Sequence, residues 1–429
     1  MRETYSWDWV QQQSAETAAL WKDCAGQKPA AGPQYSPDEQ ARREDAYDRE
    51  LRAVELEAKK KPRTSSESLQ AQERITSSFA QFSATALDLQ GDAVQLLTDD
   101  FLPAGTRLAR WARRFDPTLS MADIIQACRN AWTACGLQPL LGERMDLTAS
   151  ILGYSMLYPY TDNFLDQSDI SAAEKRHFSA RFRERLRGET IRAANAHETA
   201  LWELVKLIEG QYERNDFPQV YDCLLAIHRA QEGSIAQVRP GERCDSSEIL
   251  RLSCAKGGTS VLADACLARG WMNPVESRFA FDWGVLLQLG DDLQDVREDL
   301  LRGSVTLFSR GAASGEPLDE LAKQLLCLSD RVGASMEALP GTEMFKELLR
   351  MSWRSLIVGA VADSHQFFST TFLREMERQS PFRFAFLRSR REKMARREGL
   401  YATLFEAFLE APDADGEDAA LPVTLLATV

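Results

Sequence analysis

The chain has 429 residues, 44% of them hydrophobic, and a net charge of −13. That length suits one large domain or two smaller ones. The acidic balance speaks against a broad nucleic-acid footprint, which needs a basic face, so an anionic ligand would need local help from metal ions or clustered Arg and Lys.

The first residues, MRETYSWDWVQQQ, lack a basic region followed by an apolar run, so no signal peptide is expected. Residues 1–24 predict a short helix and 26–37 a loop. Ser36 and Pro37 suit an N-cap and a first helical position. They open a strongly charged helix, DEQARREDAYDRELRAVELEAKKK, with sparse apolar residues and therefore a peripheral place. KPRTSSES (61–68) predicts a linker closing an N-terminal extension of 1–68.

From residue 69 onward apolar residues recur three and four apart, as in QERITSSFAQFSATALDLQ and HETALWELVKLIEGQY. Turn chemistry interrupts at RPGERCDSS (239–247) and GAASGEP (311–317). Alternating strand pairs are missing. The expectation is one all-α domain over 69–410, with 411–429 as a loose tail. Eight cysteines are scattered without C-x-x-C spacing, which suggests neither zinc nor a redox motif. No apolar run reaches the length of a membrane span. A reduced, cytoplasmic protein is the simplest expectation.

Four segments carry chemistry. YTDNFLDQSD holds Asp162, Asp166 and Asp169, and QLGDDLQDVREDLLRG holds Asp291, Asp292, Asp295 and Asp299. Helical residues four apart share a face, so Asp162 and Asp166 point together, as do Asp291 and Asp295. Gly284, Leu287 and Gln288 belong to the latter face. Stacked carboxylates repel unless a cation lies between them, and Mg²⁺ takes such oxygens together with substrate phosphates. The competing reading is a solvated acidic face paired with Arg297 and Arg302. Pro159 should kink or restart the first helix. Tyr154, Tyr158, Tyr160 and Phe164 around it suit either cation stabilisation or core packing.

Between the clusters lies RLSCAKGGTSVLADACLARG. Adjacent Gly257 and Gly258 cost a helix about 2 kcal/mol relative to alanine. That predicts a break where Lys256, Thr259 and free backbone groups could meet an anion, or an ordinary helix–helix turn. The basic run FLRSRREKMARREGLY carries Arg388, Arg390, Arg391, Lys393, Arg396, Arg397 and Tyr401. It could close over a diphosphate, touch an anionic membrane surface, or be a solvated face.

Taken in that order, these segments resemble the class I isoprenoid superfamily of trans-prenyltransferases and terpene synthases. DNFLD looks like the DxxxD first motif of squalene and phytoene synthases, and QDVREDLLRG is similar to their second. DDLQD also matches the DDxxD of chain-elongating prenyl synthases. YTDNFLDQSD is similar to the first motif of the bacterial large-terpene synthases, and KGGTS to a Lys-Thr helix break. The resemblance covers roughly 120–310 and is strongest at 158–169 and 251–309. There are departures: no adjacent Asp pair in the first motif, SVTLFS after Gly303, and no Asn/Ser/Glu metal triad.

The resemblance implies a helical bundle around a central apolar cavity. It implies Mg²⁺, three ions, held by Asp162, Asp166, Asp291, Asp292, Asp295 and Asp299. Asp162, Asp166, Asp291 and Asp295 would be catalytic. Lys256, Thr259, Arg297, Arg396, Arg397 and Tyr401 would bind the diphosphate. The activity implied is ionisation of an allylic prenyl diphosphate followed by cyclisation, with coupling of two prenyl diphosphates as the alternative. A non-catalytic helical scaffold is a third reading. A di-iron bundle would need paired Glu-x-x-His elements, and Glu174 to His177 is one alone. The expected partner is a prenyl diphosphate, with room left for membrane contact and for a homodimer.

Overall fold

The computed structural model describes residues 4–60, 64–166, 170–235 and 245–410, and all regular structure among them is helical. The helices are α1 (Trp7–Asp23), α2 (Pro37–Lys60), α3 (Ser65–Thr85), α4 (Gly91–Leu96), α5 (Leu102–Phe115) and α6 (Met121–Leu140). Then come α7 (Ala149–Asp166), α8 (Ala172–Leu186), α9 (Ala196–Gln211), α10 (Pro218–Ile235), α11 (Ser246–Arg269) and α12 (Pro274–Gln294). The rest are α13 (Val296–Arg302), α14 (Leu307–Ala313), α15 (Asp319–Ser335), α16 (Glu343–Asp363), α17 (Thr370–Glu377), α18 (Phe384–Ala395) and α19 (Glu398–Glu410). Among the described residues no helix is long and apolar enough to cross a membrane.

The expected domain limits do not hold. One compact unit joins Met1–Ala31 to Thr133–Leu373, and the other joins Gly32–Trp132 to Arg374–Val429. The break at residue 68 was read from polarity, but burial decides otherwise. In the first unit α1 buries Val10, Thr17 and Trp21. Tyr5 Oη lies 2.6 Å from Ser277 Oγ, and the Thr17 hydroxyl donates to Asp282 at 2.6 Å. Trp9 meets Phe281 edge-on. The tail expected at 411–429 lies outside the described residues.

The core of the first unit is built on the antiparallel pair α11 and α12. Both helices are glycine-bearing where they cross. A Cβ on Gly257 would lie 2.5 Å from the carbonyl oxygen of Gly284, and one on Gly258 2.5 Å from the Phe281 ring. A Cβ on Gly284 would overlap the Gly257 carbonyl. The expected break at Gly257–Gly258 is therefore corrected: α11 runs unbroken from Ser246 to Arg269. The helix cost of the glycines is offset by the close packing they permit. Likewise α7 continues through Pro159 without restarting.

The second unit explains both the charged helix and the basic run. Ser36 caps α2, accepting from the Glu39 amide at 3.2 Å, while its own amide donates back at 3.0 Å. Glu44, Asp48 and Glu55 of α2 face the C-terminal segment. The Arg383 amide and Nε donate to Glu44 at 2.8 and 2.9 Å, and Arg390 donates to Asp48 at 2.6 Å. Arg397 pairs with Glu55, and Lys393 lies 3.8 Å from it. Partners rise together in number along both segments, so the segments run parallel. Tyr47 packs among Phe82, Phe382 and Phe386. Far from being peripheral, α2 contributes buried Glu44, Ala46 and Glu55 to this unit's interior.

Candidate functional site

Within the first unit, α11 is a spine with three antiparallel neighbours. The Ser150 hydroxyl of α7 donates to the Leu267 carbonyl at 3.3 Å. Two turns later Tyr158 Oη is 2.5 Å from Ser260 Oγ. One further turn carries Asp162 toward the level of Lys256. On α10, Cys223 meets Cys266 and Gly233 faces Leu252. That register brings Gln231 to the same end, where its amide donates to Asp162 at 2.7 Å. On α12, Gly284 meets Gly257, and one level on the Ser253 hydroxyl donates to Asp292 at 3.1 Å. Three helices packed on α11 thus carry Asp162, Gln231 and Asp292; Gln231 holds Asp162, while Asp292 lies beside Ser253 and feels Lys256.

The electrostatics of this corner are set by burial. Asp292 is buried and accepts from Gln288 at 2.8 Å as well as from Ser253. Desolvation pushes its pKa up to about 7, with the charge of Asp299 adding to the rise and Lys256 opposing it. Asp299, in the first turn of α13, is pushed up to about 6, first by burial and then by Asp295, while the Thr306 hydroxyl donates to it at 3.3 Å. The phenols of Tyr154 and Tyr158 are raised by burial; Asp264 adds to both, and Asp162 adds at Tyr158. Burial thus makes ionisation of Asp292 and Asp299 costly.

The aromatic group around the first motif divides in two. Tyr154 and Tyr158 face α11. Tyr160 and Phe164 pack on His197, and Phe164 on Phe178 as well, which is core packing between α7, α8 and α9. Asp166 ends α7, and Asp169 lies outside the described residues.

The inward stripe of α12 differs from the expected one. Stepping four at a time from Gly284 through Gln288 reaches Asp292, which is buried, whereas Asp291 and Asp295 are exposed. Asp295 closes α12 and precedes α13, whose Arg297 is also exposed. Thr259 is fully buried, and its hydroxyl donates to the Ala255 carbonyl at 2.6 Å, so it serves its own helix rather than an anion. Arg396 pairs with Glu392 and Arg397 with Glu55, both within the second unit. Tyr401 lies on α19. The expected grouping included Gln288 but missed Gln231 and Ser253. Gln288 was legible by its four-residue step, but Gln231 and Ser253 carry no local signal.

Beside this corner a pocket of about 20 Å³ is lined by Tyr154, Tyr158, Thr161, Phe182, His228 and Gln231, among others. That volume holds about one water. It is not the chain-length apolar cavity expected from the motifs.

The donors at the corner are oxygens, the type that Mg²⁺ prefers, and the raised Asp292 and Asp299 carboxyls are groups that a cation would relieve. In donor chemistry the residues fit the ion. Among the described residues no three His, Cys, Asp or Glu side chains converge on one point. An ion here would complete its shell with water and ligand oxygens, as Mg²⁺ commonly does. Comparison with known proteins returns no matching family model, no matching curated protein and no matching solved structure.

Proposed function

We propose that this chain is a class I terpene synthase of the all-α type, ionising an allylic prenyl diphosphate with Mg²⁺ and cyclising the resulting carbocation. The observation that supports it most is that both acidic segments lie on helices packed against α11. Asp162 and Asp292 lie 130 positions apart in the chain, yet α7 and α12, which carry them, both pack against α11, with Asp162 bonded to Gln231 and Asp292 bonded to Ser253 of α11.

In this reading Asp162, Asp292 and Asp299, with Asp166, Asp291 and Asp295 at the same helix ends, would hold the Mg²⁺. Bound there, the metal supplies positive charge to the departing diphosphate. Lys256 adds a charged donor to the diphosphate oxygens. Gln231 fixes the orientation of Asp162 through its 2.7 Å hydrogen bond, and Gln288 and Ser253 do the same for Asp292. Tyr154 and Tyr158, buried and protonated, present ring faces that favour a nearby cation. The apolar lining that Leu157, Phe182 and Leu224 provide excludes water, which would otherwise capture the cation. With the pocket at about 20 Å³, the reading requires α7, α8 and α10 to part when a prenyl chain enters.

The experiment is incubation of the purified full chain with Mg²⁺ and prenyl diphosphates of fifteen, twenty and twenty-five carbons. Diphosphate release and product mass are measured together. A hydrocarbon of the substrate's own carbon count supports the cyclase reading. A doubled count replaces it with head-to-head coupling. Absence of release at every chain length sinks the enzyme reading and leaves a helical scaffold.

A further inference from the structure

We propose that Cys223 of α10 and Cys266 of α11 are the two halves of a disulfide that staples these helices together. Their sulfurs lie 3.0 Å apart, and neither side chain is exposed. A disulfide bond is about 2.0 Å long, so closure needs a shift of about 1 Å. The antiparallel register holds beyond this point, with Gly233 facing Leu252, so no rearrangement of the pair is required. The staple would join the helix carrying Gln231 to the helix carrying Lys256, which makes it a constraint on the spacing of the candidate site. It stands whether or not that site turns over a diphosphate.

The chemistry is thiol–disulfide exchange with a small-molecule disulfide such as oxidised glutathione. One cysteine thiolate attacks a sulfur of the oxidant, forms a mixed disulfide and releases one small thiol. The second cysteine thiolate then attacks the protein sulfur of the mixed disulfide and releases the other. The two cysteine protons pass to solvent and end on the released thiols, and the oxidant gains the two electrons. Burial raises the Cys223 thiol well above its ordinary pKa, and the thiolate is the reactive form. Exchange therefore belongs to folding, before α10 and α11 close, and the finished bond resists reductant until the unit opens.

Cys24 and Cys327 provide an internal comparison, because they too are hydrogen-bonded and buried. The test refolds the full chain in mixed reduced and oxidised glutathione, alkylates the remaining thiols in denaturant, and maps linked peptides without reduction. The expected result is a Cys223–Cys266 linkage in most molecules, with a melting midpoint on the order of 5 °C above that of chain refolded in reductant. Cys223→Ser and Cys266→Ser should each abolish the difference. Recovery of Cys223 and Cys266 as alkylated free thiols, or a linkage dominated by Cys24 and Cys327, overturns the proposal. The map on the unmutated chain decides this even if a serine variant fails to fold.

Discussion

On α2, Glu44, Asp48 and Glu55 each meet an arginine of the C-terminal segment, whereas on α12 and α13 Asp292 and Asp299 are hydrogen-bonded by a glutamine, a serine and a threonine and feel both further carboxylates and the charges of Lys256 and Arg302. The first set is neutralised within its own unit and needs nothing from outside. The second is held in a state that resists ionisation, with Lys256 as a cationic neighbour of Asp292. Charge density alone separates them poorly, since both helices are rich in acid. What separates them is that each α2 carboxylate is paired directly with an arginine, whereas Asp292 and Asp299 are hydrogen-bonded by neutral side chains.

The largest effect that tests this contrast is on turnover. Asp162→Ala and Asp292→Asn should each lower diphosphate release by on the order of 100-fold or more, the scale seen when charge stabilisation of a leaving group is removed. Helical circular dichroism should stay intact. Full activity in both variants would remove the corner from the mechanism.

Next is the crossing that makes the corner. Gly284→Ala forces a methyl onto the Gly257 carbonyl and should destabilise the protein by on the order of 3 kcal/mol, read from urea midpoints. Gly290→Ala, on the same helix with nothing within 4 Å of its Cβ, should instead be neutral or stabilising by about 0.5 kcal/mol. Equal losses from the two would mean that the close approach is not what fixes α12.

The third concerns pH. Asp292 has a folded pKa of about 7 against an ordinary value of 3.8. The folded state therefore keeps a proton that the unfolded chain releases, and this contribution to stability is complete below about pH 4 and lost as pH rises toward 7. Without Mg²⁺, wild type should lose stability over that interval relative to Asp292→Asn, by at most about 4 kcal/mol. Parallel urea curves for the two proteins at pH 5 and pH 8 would contradict the buried carboxyl.

The smallest effect belongs to the other acidic helix. Arg390→Ala breaks the pair with Asp48, both partly exposed, and should cost about 1 kcal/mol or less. Turnover should not change. A drop in turnover would return the basic run to the diphosphate site.

Much of the helical pattern was legible because a 3.6-residue apolar period is a local property. The Ser36–Pro37 helix start was legible for the same reason, and so was the 311–317 break between α14 and α15. The glycine pair misled because propensity counts the cost of a missing Cβ but cannot count the helix that uses the space. The basic run allowed a diphosphate clamp or a solvated face and proved to be a paired one, because its partners sit some 340 positions earlier in the chain.

Sequence by itself determined that the chain is helical, where acid and base concentrate, and that Asp162–Asp166 and Asp291–Asp295 have the spacing of a helix face. Only tertiary structure decided which carboxylates are buried and which are paired with an arginine. That depends on antiparallel registers around α11, set by the Gly257–Gly284 contact and by pairs such as Tyr158–Ser260. It also depends on α2 finding its arginines. Helix period acts over a few residues, but charge neutralisation acts through space, between residues that no local pattern connects.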